Sequence, residues 1–386
     1  MIMLGKNNKG ITLVALVITI VILLILAGIS ISTLTNTGIF EKAKDAKKAS
    51  ENAELEQNKV LDEYEKELDK YMPQELTDDK INKVLNMTEN TFLKDANGNI
   101  FTLPAGFKVV VNDDTGNAKT VDKGIVIEDA TVDSNGNPTA TNGSQFVWIP
   151  VGKIYTDTKQ TEKNSKLIKF GRYNFNEISG EESDYSGIYF EEDTNNESTL
   201  KKYGNSIAKN IANFKNSVIE NNGYYVGRYE ARTETERDIK DDELTQITEK
   251  KTEQVYNYVT QPQASSLSKN MYNNTKFTSD LMNSYAWDTA IIFLQKCGKN
   301  QQYSIKNSVN TVLSQTGTND DKQCNIYDMA SNLLEWTTET AGGQKDCCTV
   351  VGGYYDNIYY HTCGRNGTTN LVSDKIFGFR PILYIF

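Results

Sequence analysis

Histidine occurs once in this 386-residue chain, at His361, and proline only 6 times. A single histidine removes histidine-rich metal sites and most general acid–base arrangements. The 5 cysteines, Cys297, Cys324, Cys347, Cys348 and Cys363, are too few and too irregularly spaced for a disulfide scaffold. No C-x-x-C occurs, which sets aside zinc-binding and thioredoxin-like chemistry. One or two bridges stay open as alternatives, and the odd count leaves at least one thiol unpaired within a monomer. Basic clusters are missing too, and with a net charge of −10 this argues against nucleic acid as a partner. After Ile31 no apolar run is long enough to span a bilayer.

What is present begins with an uncharged apolar run from Ile11 to Ile31, preceded by Lys6 and Lys9. As a helix at about 1.5 Å per residue it would reach roughly 30 Å, the depth of a hydrocarbon core. The lysines belong on the cytoplasmic side, so the expectation is a single-pass cell-membrane protein with its C-terminal domain extracellular. No A-x-A-like signal-peptidase site follows. The junction Gly10-Ile11-Thr12-Leu13 resembles that of type IV prepilins. The resemblance implies a leader over 1–10, cleavage after Gly10, methylation of Ile11, and the inner (cytoplasmic) membrane and pilin-like subunits as partners in a pilus or secretion-system filament. Ala15 stands where that family usually has Glu, so anchorage is implied more than polymerisation. A plain uncleaved signal anchor is the alternative.

From Ile39 to Tyr71 the chain is rich in Ala, Glu and Lys, with Ala46, Ala49, Ala53, Val60, Tyr64, Leu68 and Tyr71 three or four residues apart. This periodicity predicts an amphipathic helix closed by Pro73, so residues 11–72 read as a transmembrane and stalk helix. Residues 91–144 change to short β-prone runs broken by pairs such as Asn97-Gly98 and Asn135-Gly136, which predicts hairpins in a small β module or an embellishment of the next domain. Residues 153–222, rich in Asn, Ser, Glu and Lys, read as a polar surface insertion.

Four segments then recur in a known order. Phe146-Val147-Trp148-Ile149-Pro150 is followed by Gly223 to Glu230 (GYYVGRYE) and by Trp287-Asp288-Thr289-Ala290. Last comes Tyr327-Asp328-Met329-Ala330-Ser331-Asn332-Leu333-Leu334-Glu335-Trp336, then Gly352-Gly353 and Gly378-Phe379-Arg380. This pattern resembles the superfamily of the formylglycine-generating enzyme and sulfatase-modifying factors. The implied fold class is α+β: a long N-terminal membrane and stalk α-helix followed by a C-type-lectin-like domain over 145–386 with much irregular structure.

Asp328 and Glu335 flank a small-residue turn and can converge on a hard cation. Carried over by position, the family's calcium site would use Asp328 and Glu335 through their side chains, and Ser331 and Leu333 through their carbonyls, with a structural Ca²⁺ as cofactor. The alternative is that these carboxylates cap turns or pair with Arg380. The oxidases of the family place a cysteine pair shortly after Gly-Gly; here Asn357 falls near the first position and Cys363 is left alone. Copper-dependent oxidation needs two thiolates, so an enzyme is not expected.

Asp346 to Asp374 instead has a composition suited to recognition, dominated by Tyr, Asn, Gly and Thr. Tyr354, Tyr355, Asp356, Asn357, Tyr359, Tyr360, His361, Arg365 and Asn366 are the expected contacts for an extracellular protein or glycan ligand. Lys, Glu, Gln, Met and Trp are all absent from this stretch. Those five cannot arise from an Asn codon ending in a pyrimidine when its adenines are randomised, which resembles retroelement-diversified variable proteins. An Asn/Tyr-rich loop from an AT-rich genome is the alternative. The expected function is therefore an anchored ligand-binding protein. A minor pilin or pseudopilin with a structural tip, and a divergent oxidase, are the other readings.

Overall fold

A computed structural model of the chain describes residues 13–30, 39–69, 72–132, 138–139, 143–191, 205–233, 237, 247–308, 310–341 and 347–386. The chain divides into two compact units, Met1–Met72 and Pro73–Phe386.

Among the described residues the first unit holds two helices, α1 (Leu13–Ser30) and α2 (Ile39–Asp69). The 31 residues of α2 are long enough to cross a membrane but carry Lys, Glu and Asp along their whole length. Among the described residues no helix is long and apolar enough to cross a membrane. This overturns the expected long N-terminal helix and the single-pass membrane location. Gly10 and Ile11, the expected cleavage and methylation positions, lie outside the described residues. The α2 helix forms because Ala, Glu, Lys and Leu are strong helix formers, helped by an exposed Lys47–Glu51 pair one turn apart at 3.9 Å.

The second unit is mainly sheet and irregular backbone. Its principal strands are β1 (Phe107–Val110), β2 (Val126–Asp129), β3 (Gln145–Pro150), β4 (Tyr189–Phe190), β5 (Gly223–Gly227), β6 (Phe277–Leu281), β7 (Leu334–Ala341), β8 (Cys347–Val351), β9 (Arg365–Thr369), β10 (Phe377–Phe379) and β11 (Pro381–Ile385). Its helices are α3 (Ile211–Asn221), α4 (Gln261–Met271) and α5 (Ser284–Cys297). One six-stranded sheet, wholly antiparallel, runs β6-β11-β5-β3-β2-β1. The other runs β4-β7-β8-β9, with β10 lying parallel along the first residues of β7. Strands β1 and β2 thus extend the six-stranded sheet on the side away from β6.

Burial explains the apolar landmarks. Tyr225 in β5 faces Trp148 on β3 and Leu383 on β11, and these side chains are fully enclosed with Trp287 and Ile291 of α5. Trp336, Phe377, Phe379 and Tyr256 form a second apolar cluster. Helix α5 starts at Asn283, whose side chain accepts from the Ala286 N–H, and is buried on all sides from Ala286 to Gln295. Its sequence reads as amphipathic only because Asp288 and Thr289 are polar; the interior supplies both with partners.

The 153–222 stretch is not the polar insertion that its composition suggests. Its described part contributes β4 and α3 and buries Ile154, Ile168, Tyr173, Phe214 and Val218. Those five suffice to anchor it, while Leu167, Ile178, Ile188 and Ile219 stay exposed.

Gly124 ends a short 3-10 turn at φ 83°, and a Cβ on it would run into the Cys324 carbonyl. Gly124→Ala is therefore expected to lower stability by about 2 kcal/mol or more through left-handed strain and this collision. Urea denaturation measures it, and an unchanged midpoint would contradict the packing described.

Candidate functional site

The loop after β8 is set by backbone contact. Gly352 has φ 88°, and Cβ atoms on Gly352 and Gly353 would strike the carbonyls of Met329 and Ala330. Only glycine lets the chain pass so close to the Asp328–Ser331 turn. From there the loop is zipped to residues 304–310. Asp356 N–H donates to Asn310 O (2.7 Å), Asn307 Nδ2 to Ile358 O (2.5 Å), Thr362 N–H to Lys306 O (2.9 Å) and Cys363 N–H to Ser304 O (2.9 Å). Inside the loop the Asn357 side chain accepts from Tyr359 N–H (2.8 Å) and donates to the Tyr354 hydroxyl (2.7 Å). The Trp287 indole N–H holds the Thr362 carbonyl at 2.9 Å.

Between the two segments lies a cleft of about 170 Å³ lined by Ser308, Asn310, Thr311, Asp356, Asn357, Ile358 and Tyr359. Tyr359 is 82% exposed and Ile358 63%. The Asn310 amide nitrogen is buried and has no hydrogen-bond partner among the described residues. Of the nine expected contact residues, the fold brings Asp356, Asn357 and Tyr359 to the cleft. Tyr354 stacks edge-on against Tyr355 (6.3 Å) and Tyr360 (5.1 Å), so these three rings support the loop. His361 is tied to the Ile305 carbonyl through Nδ1 at 2.9 Å. Asn366 sits in β9 opposite Val350.

Arg365 turns inward, contrary to expectation: it pairs with Asp288 (2.6 Å) and Glu339 (3.0 Å) and holds these carboxylates inside the protein. Burial works against its charge, but the two carboxylates more than offset this and raise its pKa. Sequence reasoning missed Ser308, Asn310 and Thr311. Their signal was the Asn- and Ser-rich run after Ile305, which only the fold places beside the Tyr-rich loop. Asp346 lies outside the described residues.

The residues carried over for calcium do not fit that ion. The Glu335 carboxylate is fully buried and accepts from two Arg380 nitrogens, Nη2 at 2.7 Å and Nε shared between both oxygens at 3.1 Å. Asp328 accepts instead from Asn319 Nδ2 (2.8 Å), Ser331 Oγ (3.2 Å) and Gly317 N–H (3.3 Å). The Ser331 carbonyl receives the Leu333 N–H at 2.9 Å. The two carboxylates thus serve separate networks, and among the described residues no group of three or more Asp, Glu, His or Cys converges as a metal site. Asp328 is pushed up to about 6, chiefly by burial.

A second buried network lies beneath β9. Glu339 bridges Arg172 and Arg365, while Glu191 turns its carboxylate inward to accept from Ser284 N–H (2.6 Å) and the Thr338 hydroxyl (2.8 Å). Burial, reinforced by the nearby Glu339 charge, pushes Glu191 up to about 7, and burial pushes Asp288 up to about 6.

No protein-family model and no curated protein matches the chain, so the prepilin reading of the N-terminus gains no support. Among solved structures it is similar to variable protein 1 of Treponema denticola, at 14% identity over 42% of this chain and 84% of that one (TM-score 0.30). It is also similar to CarF, at 17% identity over 28% of this chain and 48% of that one (TM-score 0.23). A third likeness is to PvdO from Pseudomonas aeruginosa, at 11% identity over 64% of this chain and 96% of that one (TM-score 0.35). Overlaps this small carry no inference about activity or ligand.

Glu191, Asp288 and Asp328 all have folded-state pKa values above the ordinary 4.5 or 3.8. The folded state therefore holds these protons more tightly, and their contribution is complete below about pH 4 and is lost as pH rises through 6 to 7. Urea midpoints should fall between pH 5 and pH 7.5, and Glu191→Gln, which mimics the protonated acid, should flatten the slope by up to about 3 kcal/mol. Stability that rises across this window would contradict the assignment.

Proposed function

We propose that this protein is a non-catalytic ligand-binding protein whose recognition surface is the cleft that Ser308, Asn310 and Thr311 form with Asp356, Asn357, Ile358 and Tyr359. The observation that carries this reading is the contrast between a fixed frame and exposed tips. Both segments are hydrogen-bonded along their backbones, yet Ile358 and Tyr359 project into solvent beside an Asn310 amide nitrogen without a partner. A rigid tyrosine costs little entropy on binding and offers apolar area with a polar tip. The exposed Ile358 side chain and Tyr359 ring favour a protein surface over a glycan as ligand.

Absence of chemistry is part of the proposal. Cys363 is the one cysteine near the family's oxidase position, and burial pushes its thiol up to about 11, away from the reactive thiolate. The finer reading is that the segment is diversified by a retroelement. Its support is compositional: from Cys347 to Asp374 there is no Lys, Glu, Gln, Met or Trp. Asp356, Ile358 and Tyr359 are exposed, whereas Val350, Val351 and Thr362 are buried.

The full chain, screened on protein and glycan arrays, should bind a protein. Tyr359→Ala should then weaken binding by about 10-fold or more, as for an aromatic anchor at an interface centre, with an unchanged melting temperature. Absence of any binder, or affinity indifferent to both Tyr359→Ala and Asn357→Ala, would refute the surface. Sequencing the locus in sibling isolates should find substitutions concentrated at 356–359 and Arg365 constant; an invariant segment ends the diversification reading.

A further inference from the structure

Cys297 and Cys324 are far apart in sequence, and the fold brings them to one place. Cys297 is the last residue of α5. Cys324 begins the two-residue link between the short strands Lys322–Gln323 and Ile326–Tyr327, where it and Asn325 have φ of 45° and 66°. Such a link favours Asn, Asp or Gly, so a cysteine stands there against local preference. The link is clasped to the end of α5 by the side chain of Gln323. Its amide donates to Leu294 O (2.8 Å) and Asn300 O (2.9 Å) and accepts from Asn300 N–H (2.8 Å). The same side chain fills the space a Cβ on Gly298 would take.

Residues 297–298 and 323–324 are therefore packed side by side. Both sulfurs lie against the main apolar core, and both interact with the Lys123 ammonium and with Asp122. Cys324 also senses Cys297 directly. Cys348 belongs to the second apolar cluster, and Cys363, although also packed against the main core, faces Arg365 and Asp288.

We infer that Cys297 and Cys324 are joined in a disulfide when the chain folds in the presence of a small-molecule disulfide. One cysteine thiolate attacks the oxidant's S–S bond, forming a mixed disulfide and releasing one oxidant thiolate. The second cysteine thiolate then attacks the protein-bound sulfur, and the other oxidant thiolate leaves. The protein gives up two protons and two electrons, and the oxidant takes up both as two thiols. Burial pushes Cys297 up to about 12 and Cys324 well above an ordinary thiol, so exchange is fastest before this region closes during folding. The bridge would close the segment that carries Ser308, Asn310 and Thr311, tying one wall of the cleft to α5 and restricting the unfolded chain.

The full chain is reduced and unfolded, refolded with oxidised glutathione, alkylated, digested and mapped by mass spectrometry. A 297–324 linked peptide pair is expected, about 2 Da lighter than its reduced components. The melting temperature should also rise by several degrees over the reduced chain. In Cys324→Ser, Cys297 should stay alkylatable and the melting temperature should no longer respond to the oxidant. If that variant does not fold, Cys297→Ser serves the same purpose, and the wild-type map decides without either. Alkylation of Cys297 or Cys324 in the refolded wild type, or a bridge from either to another cysteine, overturns the inference.

Discussion

Arg380 is where the chain leaves one sheet for the other. Phe377–Phe379 lies along β7 in the five-stranded sheet and Pro381–Ile385 lies between β5 and β6 in the six-stranded one. Its guanidinium, fully buried, bonds the Glu335 carboxylate in the first sheet, the Gly227 carbonyl at the end of β5, and the Tyr327 carbonyl before the Asp328 turn. One planar cation thus fixes three elements at once, which its fork of donors suits better than a lysine would. Removing one partner of such a buried pair typically costs about 3–5 kcal/mol, because the other charge is left without compensation. Burial opposes its charge, and Glu335, with help from Glu230 and Glu249, holds it on.

The surroundings of Arg380 set the position of the loop over residues 354–361. The Asp328–Leu334 turn is held by Glu230, which accepts from the Leu333 N–H at 2.9 Å and from the Asn332 side chain at 2.5 Å. Asn332 in turn receives the Tyr355 N–H on its carbonyl at 3.1 Å. Arg365 acts in the same way from below, joining β9 to α5 and β7 through Asp288 and Glu339. The loop thus rests on a frame fixed by these two buried arginines.

The landmark segments were legible because each places an aromatic or a paired charge in the interior. Trp148, Trp287, Trp336 and Phe379 are all fully enclosed. The strands at 107–110, 126–129 and 145–150 follow β-prone runs bounded by turn residues. Three readings failed for physical reasons. Hydrophobicity alone took the N-terminal run for a membrane span, whereas among the described residues no helix is long and apolar enough to cross a membrane. Composition took 153–222 for an insertion, whereas a few residues there, Ile154, Ile168, Tyr173, Phe214 and Val218, are enough to tie it to the core. Proximity in sequence grouped Arg365 with the tyrosines, although its side chain leaves the loop for the core.

The sequence by itself determined local matters: which runs are extended or helical, which aromatics are buried, and that the stretch before the last strands is rich in tyrosine and asparagine. These follow from periodicity, turn chemistry and composition, which act over a few residues. Tertiary structure alone decided which carboxylate belongs to which arginine, and that residues 307–311 form one wall of the cleft. It also decided that Glu335 is committed to Arg380 and does not serve a cation. Such pairings depend on distances between segments dozens of residues apart, and a side chain's partner is chosen by what the fold leaves within about 3 Å of it.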